Sequence, residues 1–203
     1  MKINFNRLYT FVTVAYLIFT NSIDNAIASE PSALTKRENI RRPEVPAKLH
    51  NSITDYMMRE AQALLKMGYI VETERNGEVI VITIPNEELF FPNSIELLES
   101  GKDKLMPLVA YLKVEDRFKM ILAVHTDNTG SDSYKETLTE DRLDNITQYL
   151  SSLARYPDQI IGYAMADDEP IAPNTSYANR QKNRRTEIFI VPSNVLIQKI
   201  RKK

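Results

Sequence analysis

The first apolar run of the chain is "LYTFVTVAYLIFT" at 8–20, with Lys2 and Arg7 ahead of it and "AIA" at 26–28 behind it. A charged start, a short apolar middle and a small-residue end predict a secretory signal peptide over 1–28. A membrane span needs about 20 apolar residues. This run stops after thirteen, before Asn21 and Asp24, so cleavage is expected in preference to retention as an anchor. Residues 29–49 carry Pro31, Pro43 and Pro46, many charges and no sustained period. They predict a flexible linker with a reach of roughly 25 Å; an extra edge strand is the alternative.

Periodic structure is expected from Ser52. Ile53, Met57, Leu64 and Met67 fall on roughly one helical face, Ser52 is a candidate cap, and Gly68 a candidate stop. "YIVETER" and "EVIVITI" flank Asn76-Gly77, whose tolerance of positive φ predicts a hairpin with a two-residue turn. Residues 50–84 are thus an N-terminal helix and β-hairpin. "SIELLESGKDKLMPLVAYLK" (94–113) reads as helix in two pieces around Gly101, and "RFKMILAVHT" (117–126) as a strand. A helix, the strand "IIGYAMA" (160–166), a short helical segment and the strand "RRTEIFIV" (184–191) follow. Strands alternating with helices predict an α/β (α+β) two-layer sandwich: a sheet with helices packed on it. Residues 193–203 form a basic tail of helical pattern, expected to be solvated.

Composition narrows the chemistry. The chain of 203 residues is 43% hydrophobic and 26% charged, as a globular protein is. Its formal net charge is −1, and loss of 1–28 removes two cations and one anion to leave −2, so no global field draws nucleic acid or anionic membrane. There is no cysteine, which excludes disulfides, thiolate metal sites, a Cys nucleophile and a lipid-modified Cys. His50 and His125 are the two histidines, far from a two-His metal spacing, and neither metal nor cofactor is expected. His125 and Asp127 could share a strand face, but no third ligand or nucleophile accompanies them, so catalysis is not expected either. The basic run from Arg180 to Arg185 would suggest nucleic acid only in a protein retained in the cytoplasm.

Two charges stand at junctions. Asp127 follows one apolar run and Arg142 opens the next, fifteen positions later. Thr139, Glu140 and Asp141 suit the first turn of a helix, with Leu143, Ile146, Leu150 and Leu153 as its buried face. Arg142 would then sit in that first turn, where a cation opposes the helix dipole by roughly 0.3–1 kcal/mol. Two readings stay open at this point. The pair is either a structural ion pair or a receptor for a zwitterion, the guanidinium clamping a carboxylate and the Asp taking an ammonium.

Thr126-Asp127 with Gly130, Leu138 with Arg142, Pro170 with Asn174, and Arg180 followed by Asn183-Arg184-Arg185 together resemble the C-terminal peptidoglycan-binding domain of the OmpA family. Peptidoglycan-associated lipoproteins and flagellar stator proteins share that domain. The resemblance covers about 85–192 and leaves no room between linker and domain for an eight-stranded membrane barrel. It implies an OmpA-like βαβαβ-type domain with an extra N-terminal helix and hairpin. It also implies non-covalent binding of peptidoglycan through the diaminopimelate of its stem peptides. By motif, Asp127 is similar to the family's ammonium acceptor and Arg142 to its carboxylate clamp. Thr126 would add backbone contacts, Arg184 would face the same pocket, and Asn93 of "LFFPNS" is a further candidate. The sequence departs from the family at Val124 and Ala164, usually Gly, at Lys135, usually a ligand-contacting Asn, and at Leu143, usually Ala.

A periplasmic or outer-membrane-associated binding module of a Gram-negative envelope is therefore expected, and not an enzyme. The alternatives are an interaction protein of the same fold without the ligand and, more remotely, a cell-wall hydrolase. Contacts of the N-terminal helix and hairpin with other envelope proteins are left open, as is a homodimer.

Overall fold

The computed structural model describes residues 45–113 and 117–202. The expected signal peptide and most of the expected linker lie outside the described residues. Helix α1 (His50–Lys66) leads into a hairpin of β1 (Ile70–Glu74) and β2 (Val79–Pro85). The short α2 (Asn86–Leu89), α3 (Glu99–Leu105), a 3-10 turn at Met106–Val109 and α4 (Ala110–Lys113) follow. Then come β3 (Phe118–Val124), the long α5 (Asp132–Leu153), β4 (Ile160–Ala164), α6 (Tyr177–Asn183), β5 (Arg185–Pro192) and α7 (Asn194–Arg201). The five strands form one sheet in the order β1-β2-β5-β3-β4. Among the described strands only β3 and β4 run parallel, joined by α5 as such a crossover requires.

The register explains the core. Ile82 of β2 lies opposite Ile188 of β5, and Ile188 opposite Leu122 of β3, so alternate residues of three adjacent strands share a face. On that face Ile80, Ile82, Ile84, Met120, Leu122, Val124, Ile188 and Ile190 meet the helices. The helical layer supplies Met57 and Leu64 of α1, Leu105 of α3, Ile146 and Leu150 of α5, and Ile197 of α7. Each such side chain, once fully buried, contributes about 1.5–3 kcal/mol of transfer free energy. The opposite face carries a smaller cluster of Val79, Val81, Ile121, Ala123, Phe189 and Val191 with Met165.

Several local expectations are corrected. Helix α1 starts at His50, without a side-chain cap, and Met67 is exposed instead of buried. The hairpin forms, but Glu74 pairs with Val79, which makes its loop four residues, Arg75 to Glu78. Arg75, Asn76 and Gly77 all adopt positive φ there, so Asn76-Gly77 supplies only part of the turn. The helical stretch breaks at Met106-Pro107 and not at Gly101. Gly101 lies inside α3 because a Cβ there would come within 2.6 Å of the Leu89 carbonyl oxygen. Of the expected solvated tail, the described residues 193–202 are not merely solvated: Ser193 caps α7, and Leu196 and Ile197 are buried in the core. The sheet runs through the expected boundary between 84 and 85, since β2 pairs with both β1 and β5.

Candidate functional site

The helix that carries Arg142 begins earlier than Thr139. Ser131 accepts the Tyr134 amide (3.2 Å) as N-cap, and Arg142 is the eleventh residue of α5. Thr139 is no cap. Its hydroxyl donates back to the Lys135 carbonyl at 3.0 Å inside the helix, and it is fully buried. The dipole at the helix start therefore does not bear on Arg142. Lys135, Leu138, Thr139, Arg142, Ile146 and Leu150 form one buried stripe at helical spacing, while Leu153 is exposed. The stripe is apolar in its second half and mostly polar in its first.

That polar half lies beside the chain leaving β3. The His125 amide donates to the Arg185 carbonyl (2.9 Å) and the Thr126 amide to the Ala166 carbonyl (2.7 Å). This carries Asp127 off the sheet end into a tight local turn. Asp127 Oδ1 accepts the Thr129 amide (2.8 Å) and the Thr129 hydroxyl, and Oδ2 accepts Arg184 Nη1. The side chain is only 1% exposed. Burial works against its ionised form, but the Thr129 and Arg184 donors outweigh it and hold the carboxyl below its usual range.

Arg142 is placed differently. It is 5% exposed, its Nε donates to the Ser94 carbonyl (2.9 Å), and its guanidinium lies 4.7 Å from the centre of the Phe90 ring. Its terminal amines have no hydrogen-bond partner among the described residues, and no carboxylate there pairs with it. Burial pushes its pKa down, partly offset by an upward pull from Tyr134, and the neighbouring Arg184 charge adds a smaller downward push. Asp127 and Arg142 are thus not paired with each other; Arg184 takes the structural role toward Asp127.

The loop that receives Arg142 is a turn at Pro92-Asn93, closed by the Ser94 amide on the Phe91 carbonyl (3.1 Å). Asn93 is exposed with φ +53°, a conformation its short polar side chain tolerates. Asn145 also donates to the Ile95 carbonyl (3.0 Å), which fixes the loop to α5. Phe90, Ser94 and Thr129 are the partners that sequence reasoning missed. So is Asn86, fully engaged and buried. Its amide donates to the Arg184 carbonyl (2.9 Å), its side-chain amide to the His125 carbonyl (2.7 Å), and its side-chain oxygen accepts the Thr186 hydroxyl (2.8 Å). It ties the carriers of Asp127 and Arg184 together.

The C-terminal motif divides its labour. Asn183 is wholly buried and bonds Ala172 twice and Asn174 once, as a staple across the loop before α6. Arg185 is not solvated at a strand end. It is buried and donates to Glu187 (2.9 Å), which also faces His125 Nε2 at 3.3 Å. His125 therefore points to Glu187 and does not form a dyad with Asp127. Among the described residues no group of three His, Cys, Asp or Glu is placed to hold a metal ion.

The model of the OmpA family matches residues 89–184. This chain carries an OmpA-family domain. It is 28% identical over 136 residues to "Probable lipoprotein YiaD" of Escherichia coli, covering 66% of this chain and 62% of that protein. It is 32% identical over 121 residues to "Outer membrane protein A" of Bordetella avium, covering 59% of this chain and 62% of that protein. The chain thus spans about three-fifths of the length of these relatives. Among solved structures it resembles a MotB-like protein of Desulfovibrio vulgaris (TM-score 0.59, 20% identity, 72% of this chain and 97% of that one). It also resembles "the cell wall anchor of the T6SS" of Pseudomonas aeruginosa (TM-score 0.54, 22% identity, 75% and 100%), and these likenesses establish the fold. No helix among the described residues is long and apolar enough to cross a membrane.

Where the OmpA-family domain departs from its pattern, its geometry compensates. Lys135 is buried between Asp167 (2.6 Å) and Asp132 (2.9 Å), which stabilise its charged form and tie α5 to the loop after β4. Leu143 fits because Gly162 faces it; a Cβ at Gly162 would come within 2.7 Å of the Leu143 side chain. Val124 is a buried core residue at the end of β3.

Proposed function

We propose that the domain holds cell-wall peptidoglycan non-covalently, through the diaminopimelate of its stem peptides, as a binding module and not an enzyme. Arg142 carries the reading. Its Nε is fixed on Ser94 and its planar face on Phe90, while the terminal amines have no partner among the described residues. A guanidinium oriented in this way suits two parallel bonds to a carboxylate. Asp127 supplies the negative side for the ligand's ammonium, with Thr126 and Arg184 beside it, and Asn93 lies one residue from the carbonyl that fixes Arg142. The names of the relatives, an outer membrane protein and a cell wall anchor among them, support a place in a Gram-negative periplasm, associated with the outer membrane, and an anchoring role.

A second reading, an interaction module with the same fold and no cell-wall ligand, draws on Asp127, whose two oxygens are both engaged inside the protein. Co-sedimentation of the purified full chain with insoluble sacculi separates the two. The wild type is expected to be retained, and Arg142→Ala and Asp127→Ala to lose retention by about tenfold or more, as befits a hydrogen-bonded charge, with unchanged circular dichroism. Equal retention of all three, or none of the wild type, supports the second reading. Release of soluble muropeptides over time would mark a hydrolase instead.

A further inference from the structure

Asp127 cannot accept a ligand's ammonium in the arrangement observed. It is 1% exposed, and its oxygens are held by Thr129 and Arg184. Thr129 is two residues away and bonds through its own backbone, so it can leave only if the turn unwinds. Arg184 is different. It reaches Asp127 from 57 residues along the chain, at the junction of α6 and β5, and its side chain is 26% exposed. Its guanidinium also lies 5.3 Å from the centre of the Tyr177 ring, and Tyr177 is 66% exposed.

We propose that Arg184 is a placeholder: it occupies Asp127 while the site is empty, and the ammonium of an arriving amino-acid head group displaces it toward Tyr177 and solvent. The inference rests on the diaminopimelate reading and deepens it, because it assigns Arg184 to selecting a cation for Asp127 instead of gripping the ligand. The physical need is plain. A buried carboxylate without a partner is costly, so an empty site needs a cation of its own. Exchange of one charge-assisted bond for another then leaves a small net gain, which keeps the ligand reversibly bound. Tyr177 gives the displaced guanidinium an aromatic face to rest against.

The test is calorimetric titration of the full chain with free meso-diaminopimelate, in the wild type, Arg184→Gln, Arg142→Ala and Asp127→Ala. Arg184→Gln should bind as tightly as the wild type or up to about tenfold tighter, since it removes the cost of a competent state populated only in part. Arg142→Ala and Asp127→Ala should lose binding. In the wild type, 15N-labelled arginine spectra should show the Arg184 terminal amines restricted in the free protein and averaging rapidly at saturation. That measurement decides the matter if Arg184→Gln fails to fold. A tenfold or greater loss in Arg184→Gln alongside Arg142→Ala, or Arg184 amines still restricted at saturation, overturns the placeholder and leaves the diaminopimelate reading standing. If neither the wild type nor Arg184→Gln binds, both ideas fall.

Discussion

The two halves of α5 share one buried stripe and put it to opposite uses. Ile146 and Leu150, in the second half, are fully buried among apolar neighbours of the main core. Lys135, Thr139 and Arg142, in the first half, are almost as hidden but are polar. Thr139 and Lys135 are satisfied from within, by backbone carbonyls and by Asp132 and Asp167. Among the described residues, Arg142 is satisfied only through Nε and its ring contact. Depth alone therefore does not reveal a residue's task. The informative quantity is how much of its bonding capacity the protein itself consumes.

Truncating each half breaks the comparison most directly. Ile146→Ala should cost about 2–5 kcal/mol of unfolding free energy, through lost transfer energy and an unfilled cavity. Urea denaturation would measure it, and the molecules that remain folded should still bind sacculi. Arg142→Ala should behave inversely. Removing a buried cation that no carboxylate among the described residues neutralises ought to shift stability by only about 1 kcal/mol in either direction, while binding is lost. A loss of several kcal/mol at Arg142 would make it a structural residue.

This contrast was half legible in the sequence. The apolar period identified Ile146 and Leu150 because burial of aliphatic groups leaves a 3.6-residue pattern. It extended wrongly to Leu153, the last residue of the helix, which is exposed. The polar first half leaves no such pattern, so the helix start was placed at Thr139 when Ser131 is the cap. Arg142 and Asp127 stood out through motif resemblance, and the structure brings both to one end of the sheet. Their actual partners could not be read off. Arg184, Ser94 and Phe90 reach them from 48 to 57 residues away, and only the folded chain defines such contacts.

A third buried charge sharpens the same point under acid. Burial alone would raise the Glu187 pKa, yet His125 and Arg185 pull it down to about 2 from an ordinary 4.5. A depressed carboxyl contributes stability above its unfolded pKa and loses it as pH falls through the folded one. The shift corresponds to a contribution on the order of 3 kcal/mol, present above pH about 4.5 and disappearing towards pH 2. Glu187→Gln should flatten acid unfolding over that interval, as followed by fluorescence at fixed urea. An unchanged acid limb would show that other carboxylates control it.

Packing between α5 and β4 gives a smaller effect. Gly162→Ala would drive a methyl group against Leu143, at a cost of about 1–3 kcal/mol for an overpacked contact. The contact is with the end of a flexible side chain, which favours the lower part of that range. Leu143→Ala should remove the clash, so the double variant should be less destabilised than the two single changes predict. Strict additivity in thermal melts would mean that Leu143 already moves aside at no cost.

The smallest effect tests how a family pattern should be translated into backbone geometry. Ala164, where the family pattern that the sequence resembles implies Gly, is the last residue of β4 and has no positive φ. Ala166, two residues on, has φ +42°, and its carbonyl receives the Thr126 amide while its own amide donates to the Thr139 hydroxyl (3.3 Å). A left-handed alanine costs about 1–2 kcal/mol, and glycine returns roughly 0.4–1 kcal/mol of that through greater freedom in the unfolded chain. Ala166→Gly should therefore stabilise by several tenths of a kcal/mol, to about 1 at most. Ala164→Gly should destabilise by roughly 0.5–1 kcal/mol, as glycine does inside a strand. Opposite signs at these two neighbouring positions locate the glycine requirement at the turn that holds Thr126 and not at the strand end before it; equal signs would place the strain elsewhere.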